Sequence, residues 1–250
     1  MQREKRPPAN AAASMPGALP ILFRDQRYVV LDKPAGLPVH AGPAGGPSVE
    51  DWFPRLSRRK DGPWLAHRLD ADTSGCLVIA LRKAALIAAQ AAFAEGRAGK
   101  TYWAVVRGGP ARDSGTVSAP LARRDGKSGW RIVADAAGQQ AVTDWRVLGR
   151  AEGVAWLELH PRTGRTHQIR VHCALLGCPI LGDPVYGDDA VRDHAHGQAA
   201  TPLHLLARAI ALPLDPPVLA TAEPPAAMRA ELARCGWTIG GSTDVNRKIS

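Results

Sequence analysis

His67-Arg68-Leu69-Asp70-Ala71-Asp72-Thr73-Ser74-Gly75 runs directly into Cys76-Leu77-Val78-Ile79-Ala80-Leu81, so a polar turn that sets carboxylates beside a cation feeds an apolar strand. An uninterrupted apolar run bounded by turn residues reads as a strand. The turn at its edge is where a rigid scaffold presents a reactive side chain to a cleft, and Asp serves as nucleophile in reactions that pass through covalent sugar or acyl intermediates. Taken alone, the stretch also fits an Asx-type turn closed by Thr73 and Ser74. Its chemistry has to be decided by what else the chain carries.

Upstream, residues 21–24 and 28–32 read as two short strands about a polar turn, and Lys33-Pro34-Ala35-Gly36 breaks the second. Residues 83–95 are rich in Ala and Leu, with Leu86, Gln90 and Phe93 at helical spacing and Gly96 as the stop. Residues 100–107, 140–148 and 154–160 alternate as strands do. Consecutive strands joined by short loops predict an α+β fold, in which a mixed, mainly antiparallel sheet is flanked by helices and loops. A doubly wound parallel sheet is excluded by the same pattern. The boundaries expected are a flexible N-terminal arm over 1–18, a single catalytic domain over 19–236, and a flexible C-terminal tail over 237–250.

Lys and Arg exceed Asp and Glu by 32 to 23 in 250 residues, giving a net charge of +9. This balance favours a polyanionic partner through counterion release along a phosphate backbone. The cluster Arg55, Arg58, Arg59 and Lys60, just upstream of Asp70, reads as a phosphate contact or a solvated helix end. The chain has no run of eighteen apolar residues and no apolar core near Met1 of the kind a secretory signal needs, so a cytoplasmic protein is expected. Cys76, Cys173, Cys178 and Cys235 form no CxxC pair and are expected to be reduced. His167 and His172 add no metal-ligand spacing to Cys173 and Cys178. Gly99-Lys100-Thr101 ends a loose phosphate-loop pattern, but a strand follows it where a helix should.

Two further segments carry chemistry. In Arg162-Thr163-Gly164-Arg165-Thr166-His167-Gln168-Ile169-Arg170-Val171-His172, Thr166 is expected to cap a helix whose apolar side includes Ile169, Cys173 and Leu176 and which ends at Gly177. Arg165 would then stand at the helix mouth, in reach of a carboxylate. In Lys100-Thr101-Tyr102-Trp103-Ala104, alternation puts Tyr102 and Trp103 on opposite faces, one in the core and one open to a cleft.

Together these segments resemble the pseudouridine synthases of the RluA class. The resemblance extends to Leu31-Asp32-Lys33-Pro34-Ala35-Gly36, to Gly182-Asp183-Pro184-Val185-Tyr186 and, more weakly, to Leu203-His204-Leu205-Leu206-Ala207. It departs at Cys76, where the family has an aliphatic residue, and after His204, where it has alanine. It implies the pseudouridine synthase fold and isomerisation of uridine in RNA without metal or cofactor. Asp70 matches the nucleophile, Arg165 the arginine that pairs with it, and Tyr102 the tyrosine that stacks on the target base. Ile169 matches the apolar wall of the pocket, and Arg68 the residue that fills the space a flipped nucleotide leaves; an ion pair with Asp72 is the structural alternative for Arg68. His67, Thr73, Gln168 and Arg170 complete the expected substrate contacts. The resemblance further implies a compact monomer that selects ribosomal large-subunit RNA, transfer RNA or both through the catalytic domain. The competing reading is a catalytically silent RNA-binding protein on the same scaffold.

Overall fold

A computed structural model describes residues 18–42, 45–126, 129–187 and 201–239. The strands are β1 (Ile21–Arg24), β2 (Tyr28–Lys33), β3 (Trp64–Leu65), β4 (Ser74–Ala80), β5 (Gly99–Arg107), β6 (Ser114–Ser118), β7 (Leu121–Gly126), β8 (Gly129–Ala134), β9 (Val142–Ala151), β10 (Val154–Pro161), β11 (Leu205–Leu212) and β12 (Val218–Thr221). The α-helices are α1 (Phe53–Leu56), α2 (Lys83–Ala94), α3 (Gln168–Leu175) and α4 (Ala226–Arg234), with a 3-10 turn over Val49–Trp52 before α1. The main sheet runs β1-β2-β4-β11-β5-β10-β9-β6, with β3 added to β4 and β12 to β11; β7 and β8 form a separate hairpin. β4 and β11 pair in parallel, and the other pairings are antiparallel. The fold is the mixed, mainly antiparallel α+β architecture expected.

Successive side chains of a strand point to opposite faces, so a strand that is apolar at every position must be covered twice. Residues 28–31 of β2 and 76–80 of β4 are such stretches. Tyr28, Val30, Cys76, Val78 and Ala80 join a cluster covered by Leu86 of α2 and Met228 of α4. Val29, Leu31, Leu77 and Ile79 face the other way, under Val49, Trp52 and Leu56. Farther along this second face, Ala104 and Val106 of β5 lie under Ile169 and Cys173 of α3. One face therefore has a continuous core, and the other is split into two half-cores. Tyr102 packs against both halves, while Trp103 is fully buried in the continuous core.

Three local expectations change. β4 begins at Ser74, two residues before the apolar run, because Gly75 at φ 105 lets the chain enter beside β11. α3 begins at Gln168 behind a left-handed His167 (φ 51, ψ 16), not behind a Thr166 cap. Trp237, assigned to the tail, is buried against the continuous core. The weak match after His204 falls on β11, which lies centrally between β4 and β5. Residues 1–17 of the expected arm and 240–250 of the tail lie outside the described residues. Among the described residues, no helix is long and apolar enough to cross a membrane.

A methyl group on residue 75 would run into the Ala207 carbonyl on β11, at a φ that side chains rarely adopt. Gly75→Ala should lower the unfolding free energy by roughly 3 kcal/mol or more, as strained and overpacked sites do. Urea unfolding monitored by tryptophan fluorescence measures it.

Candidate active site

The divided face leaves a cavity of about 920 Å³ between its half-cores, lined among others by Asp70, Tyr102, Arg165, His167, Ile169 and Arg170. Asp70 reaches it from a turn tied down by its backbone. The Thr73 amide donates to the Asp70 carbonyl at 3.1 Å, and the Gly36 amide to the Ala71 carbonyl at 2.9 Å. Beneath the turn, the fully buried Lys33 ammonium donates to the carbonyls of Pro34, Leu37 and Ala71 at 2.7–2.8 Å. Burial pushes the Lys33 amine down to about 7, against the pull of the Asp72 and Asp70 carboxylates. Three short hydrogen bonds to carbonyls favour its charged form. The Lys33 that reads in sequence as a strand breaker is thus the pin of the Asp70 turn.

The guanidinium facing Asp70 belongs to Arg170, not Arg165. Arg170 Nη1 lies 3.7 Å from Asp70 Oδ2, while its Nε and Nη2 donate to the two Asp183 oxygens at 2.8 and 2.7 Å. Its side chain is 3% exposed and that of Asp183 is fully buried. Arg165 instead points outward and donates to the Gln140 carbonyl at 3.2 Å, at the exposed rim. The reason is helix register. With α3 starting at Gln168, the expected helix-mouth position moves outside the helix, and Arg170 turns inward from the first turn.

Gln168 and His67 also differ from expectation, since their polar atoms are used internally. Gln168 Oε1 accepts from the Thr163 hydroxyl and the Arg165 amide, and its Nε2 donates to the Val142 carbonyl and to Thr143 Oγ1. It braces the entry to α3. His67 Nε2 accepts the Val78 amide at 3.0 Å, and burial lowers the imidazole to about 4, so the ring is neutral and structural at pH 7. Thr73 is buried in the turn, and Ile169 is a buried wall of the cavity. Arg68 is exposed at the cavity and makes no ion pair with Asp72. Arg55, Arg58, Arg59 and Lys60 are exposed but do not line it. Tyr102 faces the cavity with its hydroxyl held protonated, chiefly by burial and further by the Asp70 carboxylate.

Three residues without a role in the sequence reading complete the site. Asp183 fixes Arg170. Tyr186 hydrogen-bonds His167 Nδ1 at 2.9 Å, and Trp130 of β8 stacks on the His167 ring with centroids 5.1 Å apart. A carboxylate and an arginine amid the apolar runs around residues 170 and 183 were the available signal, because buried charges require partners.

A family model described as RNA pseudouridylate synthase matches residues 27–175, which span the Asp70 turn and all of α3. The chain belongs to the RNA pseudouridine synthase family. It is thereby an isomerase that acts on RNA. It is 43% identical over 156 residues to an uncharacterized RNA pseudouridine synthase of Zymomonas mobilis, covering 62% of this chain and 71% of the relative. Ribosomal large subunit pseudouridine synthase D of the same organism is 37% identical over 176 residues, covering 67% and 55%. A match with an uncharacterized RNA pseudouridine synthase of Synechocystis spans only 50% of that relative. Among solved structures, Human RNA Pseudouridylate Synthase Domain Containing 4 superposes with a TM-score of 0.71 at 31% identity, over 88% of this chain and 94% of that one.

The Arg170–Asp183 pair also governs stability. Burial raises the Asp183 carboxyl, but the Arg170 hydrogen bonds and charge and the amides of Tyr186 and Val185 more than reverse this, leaving it below the ordinary 3.8. A depressed carboxylate contributes stability above the unfolded value and loses it as pH falls through the folded one. Arg170→Ala should therefore destabilise by about 4 kcal/mol at pH 7, since it strands a buried charge. Arg165→Ala should change stability by less than about 0.5 kcal/mol, as exposed substitutions do. Urea titrations repeated toward pH 3 should show the gap between Arg170→Ala and the parent closing.

Proposed function

We propose that this protein isomerises uridines of structured RNA to pseudouridine, with Asp70 as the nucleophile acting on a nucleotide flipped into the cavity. The observation that carries the reading is the Asp70 carboxylate itself. Its side chain is 27% exposed at the cavity, faces the Arg170 guanidinium, and makes no side-chain hydrogen bond among the described residues. A carboxylate that faces a cation yet is not clamped by donors retains its oxygens for reaction.

The reaction balances without an external reagent. The N1–C1′ bond of uridine breaks, the base turns, C5 bonds to C1′, the C5 hydrogen leaves to solvent, and N1 gains a proton. Asp70 attacks the sugar, adds to the ring or assists an elimination, and each route needs the same charged oxygen near the nucleotide. Unstacking a base costs a few kcal/mol, and an apolar and aromatic slot offsets part of that. Tyr102 and Ile169 supply the slot. Arg68 and Arg165, exposed at its rim, suit contacts with the vacated stack and with phosphate.

The substrates proposed are ribosomal large-subunit RNA, transfer RNA or both, handled by a cytoplasmic monomer without metal or cofactor. The net positive charge supports an RNA partner, and the likeness to a ribosomal large subunit pseudouridine synthase supports the ribosomal choice. Transcripts carrying tritium at C5 of uridine test it, since each turnover releases tritium to water. Wild-type protein should release tritium from at least one ribosomal or transfer RNA transcript, and Asp70→Asn should release none. Binding without release by the wild type would favour the catalytically silent protein. On a short stem-loop that folds without magnesium, EDTA should leave the rate unchanged.

A further inference from the structure

His167 stands in a conformation that a side chain rarely adopts. Among the described residues it is the only non-glycine with positive φ, and it sits between the catalytic carboxylate and the β7–β8 hairpin. Its Nε2 lies 3.9 Å from Asp70 Oδ2. On the other side of the ring, Nδ1 lies 2.9 Å from the Tyr186 hydroxyl, and that oxygen accepts the Ile132 amide of β8 at 2.9 Å. Trp130 of the same strand covers the imidazole face. Strained backbone persists where surrounding contacts over-determine it, and such sites cluster where geometry matters to function.

The network favours one tautomer. The Ile132 N–H occupies one lone pair of the tyrosine oxygen and leaves the phenolic proton to donate to Nδ1, and the ring that accepts it carries its own proton on Nε2, facing the carboxylate. The reverse tautomer would oppose a lone pair to a negative oxygen. We propose, on the basis of the isomerase reading above, that His167 is a positioning residue that aims the Asp70 oxygen into the cavity, with its own tautomer and orientation set by Tyr186 and the β7–β8 hairpin. At 3.9 Å the Nε2–H steers the carboxylate without closing a hydrogen bond. Arg170 supplies charge from one side, and His167 supplies direction from the other.

Steady-state tritium release from the transcript that the wild type modifies tests this with His167→Asn, Tyr186→Phe and the double variant. Asn tolerates the left-handed backbone, so folding is preserved. His167→Asn should lower kcat by about 30-fold with KM within about twofold, because a displacement near 1 Å of a reacting group can cost on the order of 100-fold. Tyr186→Phe should lower kcat less, and the double variant should be no worse than His167→Asn within about twofold, because the tyrosine acts through the histidine. Multiplying effects would overturn the proposal. So would a His167→Asn kcat within twofold of wild type, or a loss confined to KM. A wild type without tritium release would instead defeat the isomerase reading, which these variants leave separately testable.

Discussion

A buried guanidinium shared by two carboxylates is the constraint on which the site depends. Asp183, fully buried, takes both forks of Arg170 at hydrogen-bond distance, and Asp70, partly open to the cavity, faces the remaining nitrogen at 3.7 Å. The two carboxylates are therefore unequal. Bidentate geometry makes the Asp183 pair a fixed strut, since breaking such a buried pair is strongly destabilising. Unit charges at the Asp70 distance attract by on the order of 4 kcal/mol at an effective dielectric of about 20, less where solvent reaches them. That attraction holds Asp70 toward the strut while leaving its oxygens free to move toward a substrate.

The rest of the molecule holds the strut and the turn in register. Lys33 pins the Asp70 turn from inside the sheet, and Gly75 lets that turn enter β4 against β11. Gln168 commits both ends of its amide to the loop before α3 and to β9, so Arg170 enters the core from the first helical turn. The divided core supplies the remaining requirement. Where the two half-cores fail to meet, Tyr102 and Ile169 border space that no side chain fills, and the polar groups converge there.

β1, β2, β4, β5, β9 and β10 were legible because alternation and turn residues are local signals, whereas β3, β6, β7, β8 and β12 were not read as strands. Tyr102 and Trp103 separated onto two faces as a strand requires, and Gly96, at φ 69, follows α2 as its stop. The partner of Asp70 was less legible. Arg165 and Arg170 stand in one motif, and choosing between them depends on where α3 begins, which is set by Gln168 bonding to Val142 and Thr143 on a distant strand. That Asp183 partners Arg170 is equally a matter of tertiary contact, as is the role of Lys33, whose three acceptors come from two separate turns. Tertiary contacts decide which charge is structural and which is presented.

At the centre of the proposed chemistry, a flipped uridine meets Asp70 beside Arg170. A crystal structure of the Asp70→Asn protein with a stem-loop cut from the RNA that the wild type modifies examines this directly. The target base is predicted inside the cavity against Tyr102, with residue 70 within about 3.5 Å of the nucleoside, the range of near-attack geometry, and Arg170 still joined to Asp183. A target uridine left stacked in its loop, or seated against Arg165 with residue 70 turned away, would contradict it.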